Sequence, residues 1–241
     1  FLLGNAFVLL KPTYDFIVSD GRYYYAYLPS LFLDGDVDFE NEIREHWGVD
    51  FSPHLLDDKT PVGKIRNKYM IGMAVSLLPA FVVAHGLSVA AHAVTGFEAV
   101  KPDGYSLFYQ IMLFAWIAGL GLLSMLMLDR LLASHFGISG SATGLALLTC
   151  WCLTHYSYYY FREPFMVHIA SAFWVTACLW LGVIRPVSHP RFPVCFGAMV
   201  FCFVVALLCR PTNLFIGCFV GYVGLRLVRE GTGKQKMLSL V

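Results

Sequence analysis

The stretch F-P-V-C-F-G-A-M-V-F-C-F-V-V-A-L-L-C, residues 192–209, contains no charged side chain. A helix of about 20 apolar residues is long enough to cross the hydrocarbon core of a bilayer, so this stretch predicts a membrane span. Similar runs recur along the chain, which is 58% hydrophobic and 14% charged, whereas soluble domains have about 25% charged residues. The sequence therefore predicts an all-α fold, a polytopic transmembrane helical bundle.

Working outward from that stretch, we place transmembrane helices within 105–228, as spans near 105–128, 139–158, 164–184, 192–209 and 212–228. Basic linkers begin at Asp129, Arg185 and Arg226, and the positive-inside rule predicts that these linkers face the cytoplasm. Alternation then places the turns at 158–163 and 210–213 on the outer side. There is no basic patch interleaved with aromatic residues, so no nucleic-acid partner is expected.

Residues 69–93 are apolar but contain Pro79 and Gly86, and two structures fit this pattern. One is a kinked helix that spans the membrane. The other is a pair of shorter helices that enter the membrane and return to the same side. Hydropathy alone favours the spanning helix. The choice decides on which side of the membrane the preceding polar segment lies.

Residues 11–68 form the one long polar segment, which we expect to be an aqueous loop because unpaired polar backbone cannot lie in lipid. Within it, Asp20 and Gly21 favour a tight turn, and Arg22 could hold the Asp20 carboxylate in its charged form. A carboxylate at a membrane face can act as a general base or as a metal ligand. A solvated turn is the simpler interpretation of an isolated Asp-Gly pair.

The run D-G-D-V-D-F-E-N-E, residues 34–42, has acids at alternating positions, which suggests a calcium-binding loop. However, the order of an EF-hand loop is not met, because Gly35 comes too early. A solvated acidic loop is the interpretation that we favour for most of these acids.

Two outer turns carry further candidates. The run Y-S-Y-Y-Y-F-R-E-P, residues 156–164, places Arg162 and Glu163 at a membrane boundary, where tyrosines commonly anchor helices. Glu163 could simply suit a helix N-terminus, or it could be functional, as acids at membrane depth often are. Arg210 lies at the outer end of a span, where it could bind a phosphate or extend to the interface.

Taken together, these motifs resemble the GT-C class of polytopic glycosyltransferases, and especially the bacterial branch related to protein O-mannosyltransferases and lipid A aminoarabinose transferases. The resemblance covers most of the chain in the correct order. It is carried by Asp20 in S-D-G-R-Y-Y-Y-A-Y-L, by residues 34–42, by the segment N-K-Y-M-I-G at 67–72, and by Glu163 after a Tyr- and Arg-rich turn. The second acid is often Asp in that class, and here it is Glu163.

The resemblance implies a single transmembrane glycosyltransferase-like domain over 1–241, with 11–68 as its first extracytoplasmic loop. Because the class places both acidic loops on the outer face, it also implies that 69–93 is re-entrant or juxtamembrane. The reaction implied is an inverting transfer of a hexose or pentose from a polyprenyl-phosphate-linked donor to a glycan, lipid or protein acceptor. The expected location is the bacterial inner membrane, with the active site facing outward.

Within this implied reaction, Asp20 is expected to deprotonate the acceptor, and Glu163 to orient the acceptor or share a metal with Asp20. A divalent cation, Mg²⁺ or Mn²⁺, is left open. The candidate substrate-binding residues are Arg22, Tyr23, Lys68, Tyr69, Arg162 and Arg210. The alternative function is a transporter or lipid flippase that uses Glu163 and Arg210 as intramembrane charges. Because the chain opens inside an apolar run at Phe1, we expect it to be a fragment that begins within a first helix.

Overall fold

The computed structural model of the chain describes residues 16–47, 56–138 and 140–230. The expected first helix around Phe1 lies outside these residues. About 75% of the protein is helical, and the described residues form no strand. Their one β-bridge joins Lys59 to Ile65 in the polar segment. The prediction of an all-α fold is confirmed.

In the described residues the α-helices are α1 (Gly21–Pro29), α2 (Gly72–Thr95), α3 (Leu107–Phe136), α4 (Ser141–Leu153), α5 (His155–Phe161), α6 (His168–Val183), α7 (Phe192–Cys209) and α8 (Ile216–Glu230). The helices α2, α3 and α7 and the segment Pro211–Glu230 are long and apolar enough to cross a membrane. A five-residue π-helical turn, Ser30–Asp34, extends α1. A five-residue 3-10 turn, Pro211–Phe215, precedes α8. These spans support the prediction of an integral membrane protein.

The pair of shorter helices considered for residues 69–93 is not present. Instead α2 is one unbroken helix of 24 residues that contains both Pro79 and Gly86. A proline removes one backbone hydrogen bond, but apolar helices with strong helix formers on both sides tolerate that loss. A single helix can cross the membrane or lie along its surface, whereas it cannot fold back on itself.

The predicted spans also differ from the helices at their ends. The helix α3 continues to Phe136, past the charged pair Asp129-Arg130, and ends before Gly137 at a φ of +67°. The span near 139–158 is divided at Thr154, whose backbone is extended. The Thr154 hydroxyl accepts a hydrogen bond from the Tyr156 N–H at 3.2 Å, and it thereby caps the N-terminus of α5.

The chain forms two compact units, where the sequence predicts one domain. The first comprises the described residues up to Ala118 together with Tyr158–Val167. The second comprises Gly119–Ser157 and the described residues from His168 onward. Their boundary runs through α3, whose first turns belong to the first unit.

The first unit contains α1, α2 and the polar segment. A buried apolar cluster holds the polar segment together; its members are Ala26, Phe39, Ile43, Trp47 and Ile65. Phe39 and Ile43 flank Glu42, so the packing of this cluster draws the acidic run into the fold. The Glu42 side chain is 1% exposed, and the expectation that the acidic run is solvated is wrong at this position.

The second unit packs α6, α7 and α8 around a separate apolar cluster that includes Cys178, Met199, Cys202 and Leu227. Gly182 marks the closest approach in this packing. A Cβ placed there would lie 2.6 Å from the ring of Phe219 and 3.0 Å from the Met199 sulfur. Small residues commonly permit such close contact between membrane helices.

Candidate functional site

Asp20 lies immediately before α1, at its N-cap position. The preceding residue, Ser19, has a φ of +50°, which is unusual for a residue other than glycine. The following residue, Gly21, is buried against Phe165: a Cβ at Gly21 would lie 3.0 Å from the Phe165 Cβ. The start of α1 therefore packs directly on the turn that follows α5.

This packing brings Glu163 beside Ser19, the residue that precedes Asp20, in the first unit. The Ser19 hydroxyl donates to Glu163 Oε1 at 3.4 Å, and the Tyr158 hydroxyl donates to the same oxygen at 3.0 Å. Burial raises the pKa of Tyr158, and its bond to Glu163 raises it further, so this phenol remains a proton donor at neutral pH. The two acids singled out in the sequence therefore lie in neighbouring segments of one site.

Tyr69 provides the other side of the site. Its ring lies 5.3 Å from that of Tyr23 and 4.7 Å from that of Tyr24, centroid to centroid. Burial, followed by the interaction with the nearby Asp20 carboxylate, raises the pKa of Tyr69 well above its usual value. Tyr69 therefore stays protonated and can donate to the carboxylate.

Lys68 lies over the same aromatic rings. Its Nζ is 5.0 Å from the centroid of the Tyr69 ring and 5.9 Å from that of Tyr23, which is the range of a cation–π contact. The Lys68 side chain is exposed. A positive charge is thus held at the open edge of the cluster that contains Asp20.

Asn67 fixes this arrangement, and the candidate residues chosen from the sequence do not include it. Its Nδ2 donates to the Tyr23 carbonyl at 2.8 Å, and its Oδ1 accepts from the Tyr69 N–H at 3.0 Å. The Tyr27 hydroxyl also donates to the Tyr69 carbonyl at 2.8 Å. The N-x-Y spacing of the N-K-Y-M-I-G segment was the sequence signal that could have indicated this role.

The two remaining basic candidates of the first unit occupy different surroundings. Arg22 donates from Nε to the Ile17 carbonyl at 3.2 Å and from a terminal nitrogen to the Trp47 carbonyl at 3.3 Å. It lines a polar cavity of about 230 Å³ that also contains His46. Arg162 lies close enough to Tyr158 for its charge to lower the pKa of that phenol, although burial dominates.

Arg210 belongs to the second unit and lies at the end of α7. One of its terminal nitrogens is 3.1 Å from His168 Nδ1. Next to it, Asn213 donates to the Ser171 hydroxyl at 2.8 Å and to the Ala206 carbonyl at 2.7 Å. These bonds pin the turn between α7 and α8, and Arg210 is exposed there.

An apolar groove lies beside the Asp20 cluster. The sequence analysis did not predict this groove. Its volume is about 210 Å³, and it runs between α1 with its π-helical extension and the first turns of α2. Its walls include Tyr27, Leu31, Phe32 and Leu78. Leu31, Phe32 and Leu78 are 39–48% exposed, so the groove is open at the surface.

The residues at Asp20 do not form a ready metal centre. In the described ranges, no three His, Cys, Asp or Glu side chains are arranged to hold a metal ion. Glu163 Oε1 already accepts hydrogen bonds from the hydroxyls of Ser19 and Tyr158. These donors can stabilise the Glu163 carboxylate in the absence of Mg²⁺ or Mn²⁺.

Comparison with protein-family models, with curated proteins and with solved structures gives no match for this chain. The site combines two carboxylates and phenol donors with an adjacent ammonium group and an open apolar groove. Its carboxylates can accept a proton from a polar acceptor. The site can also bind an amphipathic, negatively charged molecule.

Proposed function

We propose that the protein is a membrane glycosyltransferase that moves a sugar from a polyprenyl-phosphate-linked donor to an acceptor at the extracytoplasmic face, with inversion. The observation that carries the proposal is the 3.4 Å contact between the Ser19 hydroxyl and Glu163 Oε1. Through this contact the acid that follows α5 lies next to the residue that precedes Asp20, although 143 positions separate the two acids in the sequence (163 − 20). Paired carboxylates from two distant loops are what the resemblance to the GT-C class implies.

Asp20 is the general base in this proposal. As the acceptor oxygen or nitrogen attacks the anomeric carbon, its proton passes to the Asp20 carboxylate. The new bond to the acceptor forms while the bond from the anomeric carbon to the phosphate oxygen breaks, and the electron pair leaves with the polyprenyl phosphate. A single displacement of this kind inverts the anomeric carbon. Glu163, held by Tyr158, orients the acceptor.

The leaving phosphate gains negative charge, which fixed cations stabilise. Lys68 is the best-placed candidate in the first unit, because its ammonium group lies on the Tyr23 and Tyr69 rings beside Asp20. The groove between α1 and α2 begins at Tyr27, which is bonded to the Tyr69 carbonyl, so an isoprenoid chain in this groove would start next to Lys68. Arg22 and Arg162, which belong to the same unit, remain proposed contributors to substrate binding.

The flanks of α2 support an outward-facing site. Tyr27 of α1 bonds the Tyr69 carbonyl before α2, and Tyr25 of α1 bonds the Gly104 carbonyl after it. The nine residues of α1 extend only about 13 Å, whereas the 24 residues of α2 extend about 36 Å. Because both flanks are bonded to one short helix, the chain returns after α2 to the side of the membrane from which α2 began. This favours an α2 that lies along the membrane face and does not cross the membrane. The polar segment and the Glu163 turn then share the outer side.

The test is transfer of a labelled sugar from a polyprenyl-phospho-sugar by membranes that contain the full-length protein. General-base catalysis contributes about 10²–10⁴-fold, so Asp20→Asn should lower the rate by at least about 100-fold. The matched control is Asp57→Asn, which removes an exposed acid elsewhere in the same polar segment. Undiminished transfer by Asp20→Asn would end the assignment of the base.

A second measurement addresses the geometry. Single cysteines at positions 20 and 163 should react with a membrane-impermeant maleimide from the same side of the membrane. Labelling from opposite sides would contradict the shared site. Coupled movement of substrate without transfer of a sugar would instead support the transporter alternative.

A further inference from the structure

The polar cavity of about 230 Å³ beside Arg22 lies in the first unit, near the start of α1. Pockets that enclose drug-sized ligands have volumes of about 300–1,000 Å³, so this cavity has room for one small ring. Its polar wall distinguishes it from the apolar groove between α1 and α2, and the two therefore suit different kinds of ligand.

Hydrogen bonds fix the wall of this cavity, so the cavity is formed without any movement of the chain. Asp103 Oδ1 accepts from the Tyr105 N–H at 2.8 Å, and Gln110 Nε2 donates to the Tyr105 carbonyl at 3.0 Å. Arg22 donates to the Trp47 carbonyl at 3.3 Å. Ligand sites in proteins are usually largely pre-formed in this way.

Aromatic rings give the cavity flat surfaces. The rings of His46 and Tyr105 are stacked, with centroids 3.7 Å apart and 16° between their planes. Trp47 is 7% exposed, and its ring packs edge-on against that of Tyr23 at 4.9 Å between centroids. Because Tyr23 also contacts the Tyr69 ring, the cavity adjoins the site of the proposed reaction.

Several polar groups of the residues that line the cavity lack partners among the described residues. The Trp47 Nε1–H and the Tyr105 hydroxyl are both buried and without a hydrogen bond. The Glu45 side chain is exposed, and no described residue forms a hydrogen bond or an ion pair with it. Buried donors are generally satisfied in native proteins, and an oxygen-bearing molecule in the cavity can supply the missing acceptors.

The charges of the wall indicate a neutral ligand. Among the described residues that line the cavity, Arg22 is the cation and Glu45 is the anion. Burial, the main effect, lowers the pKa of His46, so near pH 7 its neutral ring offers one donor and one acceptor. An anion would meet Glu45 and a cation would meet Arg22, whereas a hydroxyl group can donate to the first and accept from the second.

We propose that this cavity binds one neutral sugar ring of the acceptor, and that the acceptor is therefore a glycan. The inference rests on the proposed function, which leaves glycan, lipid and protein acceptors open. The hydroxyls of a sugar ring suit Arg22, Glu45 and His46, and its C–H faces suit the aromatic rings of the wall. An acyl chain in the same place would leave the polar groups of the wall unpaired, which is costly.

The experiment measures binding of methyl β-glucopyranoside and methyl α-mannopyranoside, without any donor, to the full-length protein in lipid nanodiscs. Nanodiscs avoid maltoside detergents, which carry sugars of their own. Saturation-transfer NMR titrations should show saturable binding of at least one probe, with a dissociation constant of about 1–10 mM. The absence of saturable binding of either probe up to about 100 mM would overturn the proposal.

Charged probes test the neutrality of the site. Methyl glucuronide, an anion, and glucosamine, a cation, should both bind more weakly than the neutral methyl glycosides, because each meets a like charge in the wall. Tighter binding of either charged probe would show that the site recognises an ion and would refute the assignment to a neutral sugar.

Glu45→Ala is the decisive variant, because Glu45 lines the cavity and its side chain is exposed. Loss of a hydrogen bond to a charged group should weaken sugar binding at least about 10-fold. Glu40→Ala is the matched control and should bind as the wild type does: Glu40 lies in the same segment, forms an ion pair with Arg44 at 2.8 Å, and does not line the cavity. Unchanged affinity in Glu45→Ala, or an equal loss in Glu40→Ala, would overturn the site.

A second variant guards against a folding defect. If Glu45→Ala does not fold, His46→Phe carries the same test, because it keeps a flat ring for the stack on Tyr105 and removes both ring nitrogens. Sugar binding by His46→Phe with wild-type affinity would then refute the site.

Failure of this inference and failure of the proposed function give different results. Transfer to a lipid or protein acceptor, by a protein that binds neither methyl glycoside, would overturn the glycan acceptor and keep the glycosyltransferase. Sugar binding that Glu45→Ala weakens, in a protein that transfers no sugar, would support the sugar site and reject the transferase.

Discussion

Gly21→Ala tests the pairing of Asp20 and Glu163 without altering either acid. A Cβ at position 21 would lie 3.0 Å from the Phe165 Cβ and 3.4 Å from its carbonyl carbon, whereas carbon atoms prefer about 3.5–4.0 Å. The turn that carries Glu163 must therefore move away by a few tenths of an ångström. The bond from Ser19 to Glu163 is already long at 3.4 Å, so this movement should break it.

The expected effect on transfer is measurable, while the effect on stability is small. A displacement of about 1 Å near reacting groups can cost roughly 100-fold in rate, so for this smaller movement we expect transfer to fall by about 10-fold. Alanine gains up to about 1 kcal/mol over glycine in a helix, and overpacking costs about 1–3 kcal/mol. The net loss of about 0–2 kcal/mol should lower the melting temperature by only a few degrees.

The assay combines transfer of a labelled sugar with thermal unfolding followed by tryptophan fluorescence. Gly86→Ala is the matched control, because a Cβ at Gly86 in α2 would meet no atom within 4 Å. It should keep full activity and melt at the same or a higher temperature. Full activity in Gly21→Ala would refute the claim that close packing of α1 on the Glu163 turn positions the acids.

Three further substitutions test the packing and the hydrogen bonds. Gly182→Ala should lower the free energy of unfolding by about 1–3 kcal/mol because its Cβ would overlap Phe219, whereas Gly197→Ala, which has open space, should not; a thermal melt decides. Tyr25→Phe leaves the Gly104 carbonyl without its donor and should cost about 1–2 kcal/mol in the same melt. Tyr158→Phe should slow transfer by roughly 10-fold, since a hydrogen bond to a charged group contributes about 1.5–3 kcal/mol, and an unchanged rate would exclude a role in orienting the acid.

The fold class could be predicted because uninterrupted apolar length is a property of local sequence. The span at 192–209 has the predicted ends, since an arginine flanks each side. Elsewhere, the ends of helices depend on individual hydrogen bonds. The hydroxyl of Thr154 divides one predicted span, and nothing in the hydropathy of W-C-L-T-H-Y distinguishes this threonine from those inside helices. Likewise, Pro79 indicates a break that α2 does not have.

The site was only partly predictable, for a different reason. Asp20, Glu163 and Tyr69 could be chosen from motifs, but their proximity results from the contact of Gly21 with Phe165, which is a long-range packing event. Burial of Glu42 is also a tertiary property. Its neighbours are acidic and suggest solvent, and the two apolar residues that flank it carry it inward.

Ser19 links the conformational and chemical features of the site. A non-glycine residue at a φ of +50° costs roughly 1–2 kcal/mol, and the chain could have avoided that cost with glycine. Glycine would have lost the hydroxyl that bonds Glu163. Backbone strain that persists beside two acids, although glycine would relieve it, is typical of functional sites. The backbone strain at Ser19 and the close packing at Gly21 therefore both determine the position of Asp20 relative to Glu163.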